Sequence, residues 1–409
     1  MGSSTPKIPR FEGFIEQIVH RGLQGQSIEE QLNGLATIAR NAGLPVKWVC
    51  ITMRTLHPRF GTLSYIWRAD TKKVDYMPQR RTAPKPASAT SGQMNFMPDT
   101  GSATHRYRID GNDKLQFPIL EQLRNEGMTD YAASLVRYES GSKDSAFEGV
   151  YFSCATDSPA GFDTDNLQQV FDVLPYFAIA IKSRLTYDVA STVTKTYLGK
   201  DAGRRVLTGE IDRGSTQTIR AVIWYFDLQG FTQLAESTPG VELIAMLNEY
   251  FGVVVRAVES FGGDVLKFMG DGLLAVFKFA DDESACCSRV IAATDELVDT
   301  MASTNVRRKA DGLVHTDFSL ALHIGELMYG NIGSEDRLDF TVIGPAVNMV
   351  ARIQTMCRPL GHNIIVSSAM VQAIGREHSR IVTIGKHDLR GITKPEPLST
   401  LVAPQPNAK

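Results

Sequence analysis

The chain has 409 residues, which is long for one domain, and two domains are the natural expectation. Hydrophobic residues make up 43% and charged residues 22%, the balance of an ordinary globular protein with enough apolar material for two cores. A formal net charge of −2 gives no basic footprint for a nucleic-acid partner.

From residue 11 to 43, apolar positions recur at helical spacing (Phe14, Ile18, then Leu32, Leu35, Ile38) and stop at Gly43-Leu-Pro45. Val46 to Met53 and Leu63 to Arg68 read as strands, rich in β-branched and aromatic residues. Residues 77–104 shift to Pro, Ser, Thr, Ala and Gln, which predicts a long mobile loop inside the first domain. Strand character resumes at His105 to Ile109. A short helix around Ile119 to Glu126 follows, then strands near Ala132 to Tyr138 and Phe147 to Cys154. A helix from about Asp163 to Leu185 carries a buried stripe of Leu167, Val170, Phe171, Leu174, Ala178, Ile181 and Leu185.

This order of helix, strands, helix, strands and a final helix after Gly161-Phe-Asp163 resembles GAF-type sensor domains, with a PAS-like domain as the alternative. The resemblance implies a regulatory domain over residues 1–185 that takes an unknown small ligand. The bland alternative is a dimerisation scaffold. Residues 186–215 then form a linker. Its glycines at 199, 203 and 209 argue against one long helix and for short helical turns, serving either as a passive tether or as a transducing element.

Two carboxylates organise the second half. Asp227 ends the apolar run Ala221-Val-Ile-Trp-Tyr-Phe and is followed by Leu228-Gln-Gly-Phe-Thr232. Asp271 lies between the apolar runs Val265 to Met269 and Leu273 to Phe277. Between them an amphipathic helix places Leu243, Leu247, Tyr250, Phe251, Val254, Val258 and Phe261 three and four apart. Alone, Asp271-Gly272 is a hairpin-turn signal, and Asp227 is a helix cap. Side by side, the two would hold a hard divalent cation together with substrate phosphates. Gly230 lets backbone amides approach those phosphates at a helix start.

The chain continues with a helix from Glu283 to about Met301, an alternating strand Phe318 to Ile324 and a hairpin around 326–343. A helix from Pro345 to Met356, a strand Ile364 to Val366, and two strands near 381–385 and 398–402 complete it. The β-α-β-β-α-β order predicts an α+β, ferredoxin-like core over residues 216–409, preceded by the GAF- or PAS-like α/β domain.

The motifs Phe226-x-Asp227-x-x-Gly230-Phe231-Thr232, Gly263-Asp-x-x-Lys267-x-x-Gly-Asp271-Gly, Gly330-Asn-Ile-Gly-Ser334 and Asp339-Phe-Thr-Val-Ile-Gly-Pro-Ala-Val-Asn348-x-x-Ala-Arg352 stand in this order. Together they resemble the class III adenylyl/guanylyl cyclase catalytic domain, over roughly residues 195–401. The resemblance implies cyclisation of ATP to cyclic AMP and pyrophosphate with two divalent metal ions, Mg²⁺ or Mn²⁺. Asp227, Asp271 and the Leu228 carbonyl would hold the metals. Gly230, Phe231, Thr232 and Lys394 would hold the phosphates, Asn348 would orient the ribose, and Arg352 would stabilise charge on the α-phosphate. Lys267 and Thr341 would contact adenine, with Asp339 the alternative on the same strand face. Since one chain carries both the metal pair and the Asn348/Arg352 pair, the resemblance implies a head-to-tail homodimer with shared sites.

The rivals are narrower. A guanylate cyclase is disfavoured by Lys267, since guanine-selective relatives carry an acidic residue there. Phe261-Gly-Gly-Asp264 begins like a diguanylate cyclase signature, but Val265-Leu266 replaces its Glu-Phe. A nucleotide-binding module without turnover should have lost one of these site residues, and none is missing. Five scattered cysteines (Cys50, Cys154, Cys286, Cys287, Cys357), without Cys-x-x-Cys spacing, suit reduced thiols. The N-terminal residues show no export signal, and the best apolar run, Val170 to Ile181, contains Asp172 and Pro175. No membrane span and a cytoplasmic location are therefore expected.

Overall fold

The computed structural model describes residues 12–41, 43–81, 104–111, 113–138, 149–279, 282–374 and 380–402. The chain divides into two units, Met1–Val193 and Thr194–Lys409, each built on its own sheet. Among the described residues no helix is long and apolar enough to cross a membrane. All five cysteines are buried and unpaired.

The first unit contains α1 (Glu12–Leu23), α2 (Ile28–Asn41), β1 (Trp48–Arg54), β2 (Phe60–Arg68), β3 (Val74–Arg80) and β4 (Thr104–Arg108). It continues with α3 (Pro118–Asn125), β5 (Asp130–Arg137), β6 (Gly149–Thr156) and α4 (Thr164–Leu198), of which the residues from Thr194 onward are counted in the second unit. The strands form one antiparallel sheet in the order β3-β2-β1-β6-β5-β4. Alternation along β1 decides its two faces. Val49, Ile51 and Met53 join a core with α2 and α4, whereas Trp48 and Cys50 pack with Leu120 and Leu123 of α3. The fully buried Asp130 of β5 is paired with Arg106 of β4 at 2.7 Å and accepts the Phe162 amide at 2.9 Å. That ion pair fixes the segment leading into α4.

Three expectations change here. Met77 to Arg80 belongs to β3, whose Pro78 is tolerated because the strand lies at the sheet edge; the rest of the expected mobile loop, residues 82–103, lies outside the described residues. The helix expected to stop near Leu185 runs on to Leu198. Residues 186–198 contain neither Gly nor Pro, so nothing interrupts the backbone ladder until Gly199, whose φ of +88° an L side chain resists. The linker is thus a continuation of α4, a break, and then a short helix, α5 (Lys200–Leu207).

The second unit holds α5, β7 (Thr216–Leu228), α6 (Phe231–Ser237), α7 (Gly240–Ser260), β8 (Asp264–Met269), β9 (Gly272–Lys278), α8 (Glu283–Ala310) and β10 (Phe318–Gly333). Then come β11 (Leu338–Ile343), α9 (Pro345–Thr355), α10 (Cys357–Leu360), β12 (Ile364–Ser367), α11 (Ser368–Ile374), β13 (Ile381–His387) and β14 (Glu396–Leu401). The sheet order is β13-β14-β12-β10-β7-β9-β8, with β11 paired to β10. Its centre, β10-β7-β9-β8 linked through α7 and α8, is the expected ferredoxin-like β-α-β-β-α-β core.

Period-two alternation on β7 sorts its residues between two layers. Val222, Trp224, Phe226 and Leu228 face α7 and α8 with Tyr250, Val254, Val290 and Leu297. Ala221, Ile223 and Tyr225 face the layer containing Val350 and Ile353 of α9 and Ala202 of α5. By the same alternation Asp227 lies on the α9 side. Beneath α5, Asp201 pairs with Lys278 of β9 at 2.5 Å and with Arg205 at 3.0 Å. Lys278 and Arg205 both stand over the Tyr329 ring, 4.3 and 5.4 Å from its centroid.

Candidate active site

Asp227 stands opposite Gly272 in the β7–β9 pairing, and the Leu228 amide donates to the Asp271 carbonyl at 3.2 Å. The end of β7 is therefore closed onto the β8–β9 turn, and both carboxylates arrive at one edge. Gly272 permits this approach: a Cβ there would lie 2.8 Å from Asp227 Oδ1 and 2.7 Å from the Phe226 carbonyl oxygen.

Burial first, and then the charge of Asp271, pushes the Asp227 carboxyl up to about 6, against the opposing effect of a hydrogen bond from Gln354. Burial also raises Asp271. Among the described residues neither carboxylate has a Lys, Arg or His partner within ion-pair distance, so the site presents two half-desolvated anions to any cation that enters. The donor chemistry fits: hard oxygens in a pair suit Mg²⁺ or Mn²⁺ held jointly with phosphates, whereas a full protein cage would need more ligands. Among the described residues no cluster of three or more His, Cys, Asp or Glu offers such a cage.

The pair opens into a cleft of about 630 Å³ bordered also by Leu228, Gly230, Phe231, Thr232, Gln354 and Arg358. Its floor is anchored by Gln229. That side chain donates to the Phe318 carbonyl at 2.8 Å and to Asn363 Oδ1 at 3.0 Å, and its amide donates to the Asp317 carbonyl at 2.8 Å. The Leu228–Thr232 turn is thereby tied to the start of β10. Gln354 and Arg358 were not among the residues singled out from sequence. Both are ordinary polar helix residues there, and only the packing of α9 and α10 brings them to the cleft.

Elsewhere on the sheet, Lys267 Nζ of β8 donates to Thr341 Oγ1 of β11 at 3.0 Å, and Asp339 Oδ2 lies 4.0 Å from the same ammonium. Both residues weighed as the second base contact thus reach Lys267; Thr341 is buried and makes the hydrogen bond, and Asp339 is exposed.

Asn348 and Arg352 lie one turn apart on α9, the first exposed and the second half-buried. Arg352 packs beside Gly391, where an added Cβ would be 3.5 Å from its guanidinium. Gln354 is two residues further, about 200° around the helix. One face of α9 therefore serves Asp227 and another carries Asn348 and Arg352. Neither of the latter two borders the Asp227 cleft within one chain. Lys394 sits on the exposed segment between β13 and β14, also outside it.

Residues 215–401 match the family model described as the adenylate and guanylate cyclase catalytic domain. An adenylate cyclase of Anabaena cylindrica is 28% identical over 164 residues, covering 40% of this chain and 32% of that protein. Adenylate cyclase 1 of Rhizobium meliloti is 30% identical over 152 residues, covering 36% of this chain and 22% of that one. Among solved structures, the adenylyl cyclase CyaB from P. aeruginosa aligns with a TM-score of 0.43 and 21% identity, over 47% of this chain and 97% of that one. The second unit carries a class III nucleotidyl cyclase catalytic domain. The chain spans about a third or less of the length of these two curated relatives.

Proposed function

We propose that the protein is an adenylate cyclase that converts ATP to 3′,5′-cyclic AMP and pyrophosphate at sites shared between two copies of the chain. The observation that carries this reading is the convergence of Asp227 and Asp271 at one sheet edge, in a domain that also holds the Lys267–Thr341 pair. The names of the two curated relatives support adenine over guanine.

The reaction is an internal displacement. The ribose 3′-oxygen bonds to the α-phosphorus, the bond from that phosphorus to the pyrophosphate oxygen breaks, and the hydroxyl proton passes to solvent. Such chemistry needs alignment and charge stabilisation more than proton shuttles. Asp227, Asp271 and the Leu228 carbonyl would hold two divalent ions, which lower the pKa of the 3′-hydroxyl and neutralise the leaving group when bound. Amides of Gly230, Phe231 and Thr232 hold the terminal phosphates, joined by Lys394 of the other copy. From the other copy, Asn348 orients the ribose and Arg352 faces the α-phosphate, while Lys267 donates to adenine N1 and Thr341 accepts from the N6 amino group. The two faces of α9 support the division between copies, because one helix does not turn Gln354 and Arg352 to the same cleft.

The first unit is read as a GAF-like regulatory domain with an unknown small ligand, and α4 with α5 as the element through which it acts on the catalyst. Incubating the purified protein with ATP or GTP, each with Mg²⁺ or Mn²⁺, tests the assignment. Cyclic AMP with little cyclic GMP supports it; cyclic GMP as the main product overturns the base assignment. Silence from both the full chain and residues 195 onward would favour a binding module.

A further inference from the structure

Gln354 touches the metal carboxylate directly, yet no sequence motif drew attention to it. Its Nε2 donates to Asp227 Oδ2 at 3.1 Å. The ionised carboxylate only accepts, so the amide nitrogen faces it. The other oxygen, Oδ1, is the one that lies against Gly272, at the foot of the turn bearing Asp271. The two oxygens of Asp227 thus have separate surroundings. One is tethered to α9; the other is turned toward the second carboxylate.

A strand-end aspartate is otherwise free to rotate about its last torsion, and that torsion decides whether a pair of carboxylates converges. Gln354 is well suited to set it. α9 is fixed from below by the fully buried Val350 and Ile353, so the amide is delivered from a rigid element. A neutral donor also leaves the anionic charge intact for a cation, which Lys or Arg at this position would cancel.

Resting on the cyclase reading above, we propose that Gln354 is a positioning residue of the metal centre, holding the Asp227 carboxylate so that Oδ1 and Asp271 converge on one divalent ion. The bond also ties Asp227 to the helix that presents Asn348 and Arg352 on its other face.

The test is Mn²⁺ binding followed by electron paramagnetic resonance on the full chain, without nucleotide, at fixed pH. Gln354→Met keeps the length and removes the donor. It should weaken Mn²⁺ binding about 10- to 100-fold, the loss typical of removing a hydrogen bond to a metal ligand. Gln354→Asn keeps an amide too short to reach and should weaken it in the same direction. In cyclase assays both should raise the apparent KM for Mn²⁺ more than the KM for ATP at saturating metal. Wild-type Mn²⁺ affinity in a folded Gln354→Met or Gln354→Asn protein overturns the proposal and leaves Gln354 a packing residue. Asp227→Ala separates the two levels of inference. If it too binds Mn²⁺ normally, the metal assignment itself fails; loss of ATP turnover alone would leave the Mn²⁺ comparison unaffected.

Discussion

Lys267 and Thr341 lie 74 positions apart in the chain and meet at 3.0 Å, an ammonium on β8 donating to a hydroxyl on β11. The hydroxyl is buried and the lysine half-exposed, so the pair is held in shape from the β11 side. Under the proposed adenine contact, Lys267→Glu places an acceptor where N1 needs a donor. It should lower kcat/KM for ATP by about 100-fold, without a full switch to GTP, because selectivity needs the whole pocket. Thr341→Val should cost about tenfold. Unchanged ATP kinetics in Lys267→Glu would remove the base from this pair.

Asp227→Ala and Asp271→Ala should each reduce turnover by at least about 1000-fold while the fold survives, since neither side chain is part of a core. Normal rates in either variant would contradict the metal assignment.

Asp227 also makes a stability prediction. Its carboxyl is pushed from 3.8 to about 6, so ionisation is disfavoured in the folded state. The resulting cost is absent below about pH 4, develops as the pH rises through 6, and is complete above. With allowance for partial solvent screening, metal-free Asp227→Asn should be about 1–2 kcal/mol more stable than wild type at pH 8, and equal to it at pH 4. Denaturant unfolding at the two pH values checks this. The same protonation should compete with metal: apparent Mn²⁺ affinity should fall about tenfold per unit below pH 6 and level off above it.

Asp201 predicts the opposite pH trend. Burial pushes its carboxyl up, but hydrogen bonds from Lys278 and Arg204 and the charges of Lys278 and Arg205 together hold it well below the usual range. Its stabilisation is therefore present above about pH 4 and lost as the pH falls further. Asp201→Ala should destabilise the second unit by about 1–3 kcal/mol near neutral pH, because Lys278 is left over Tyr329 without its anion and Arg205 keeps only Glu210. An unchanged denaturation midpoint would make the network incidental.

Most of the catalytic half could be read from sequence because its signals are local. A strand ending in Asp227, a Gly-Asp-Gly turn at Asp271 and a helix opening at Pro345 each announce themselves within a few residues. What sequence missed depends on long-range packing. Gln354 is an unremarked helix glutamine until α9 lies over β7. β3 was hidden because Pro78 and alternating polar residues speak against a strand, and only an edge position reconciles them. By local signal alone every glycine of the linker is a helix breaker. Gly199 breaks a helix and Gly209, at φ +92° just past α5, ends one, while Gly203 lies inside α5 and the stretch before 199 has no reason to stop.

The division of the site between two copies is tested most directly by mixing Asp227→Ala chains with Arg352→Ala chains, each inactive alone, and assaying cyclic AMP from ATP. The shared-site arrangement predicts recovered activity, since one of the two sites in each mixed dimer regains Asp227 from one chain and Arg352 from the other. If mixed dimers form, shown by co-purification of two differently tagged chains, and yet produce no cyclic AMP, the two half-sites do not meet across copies and the account is wrong.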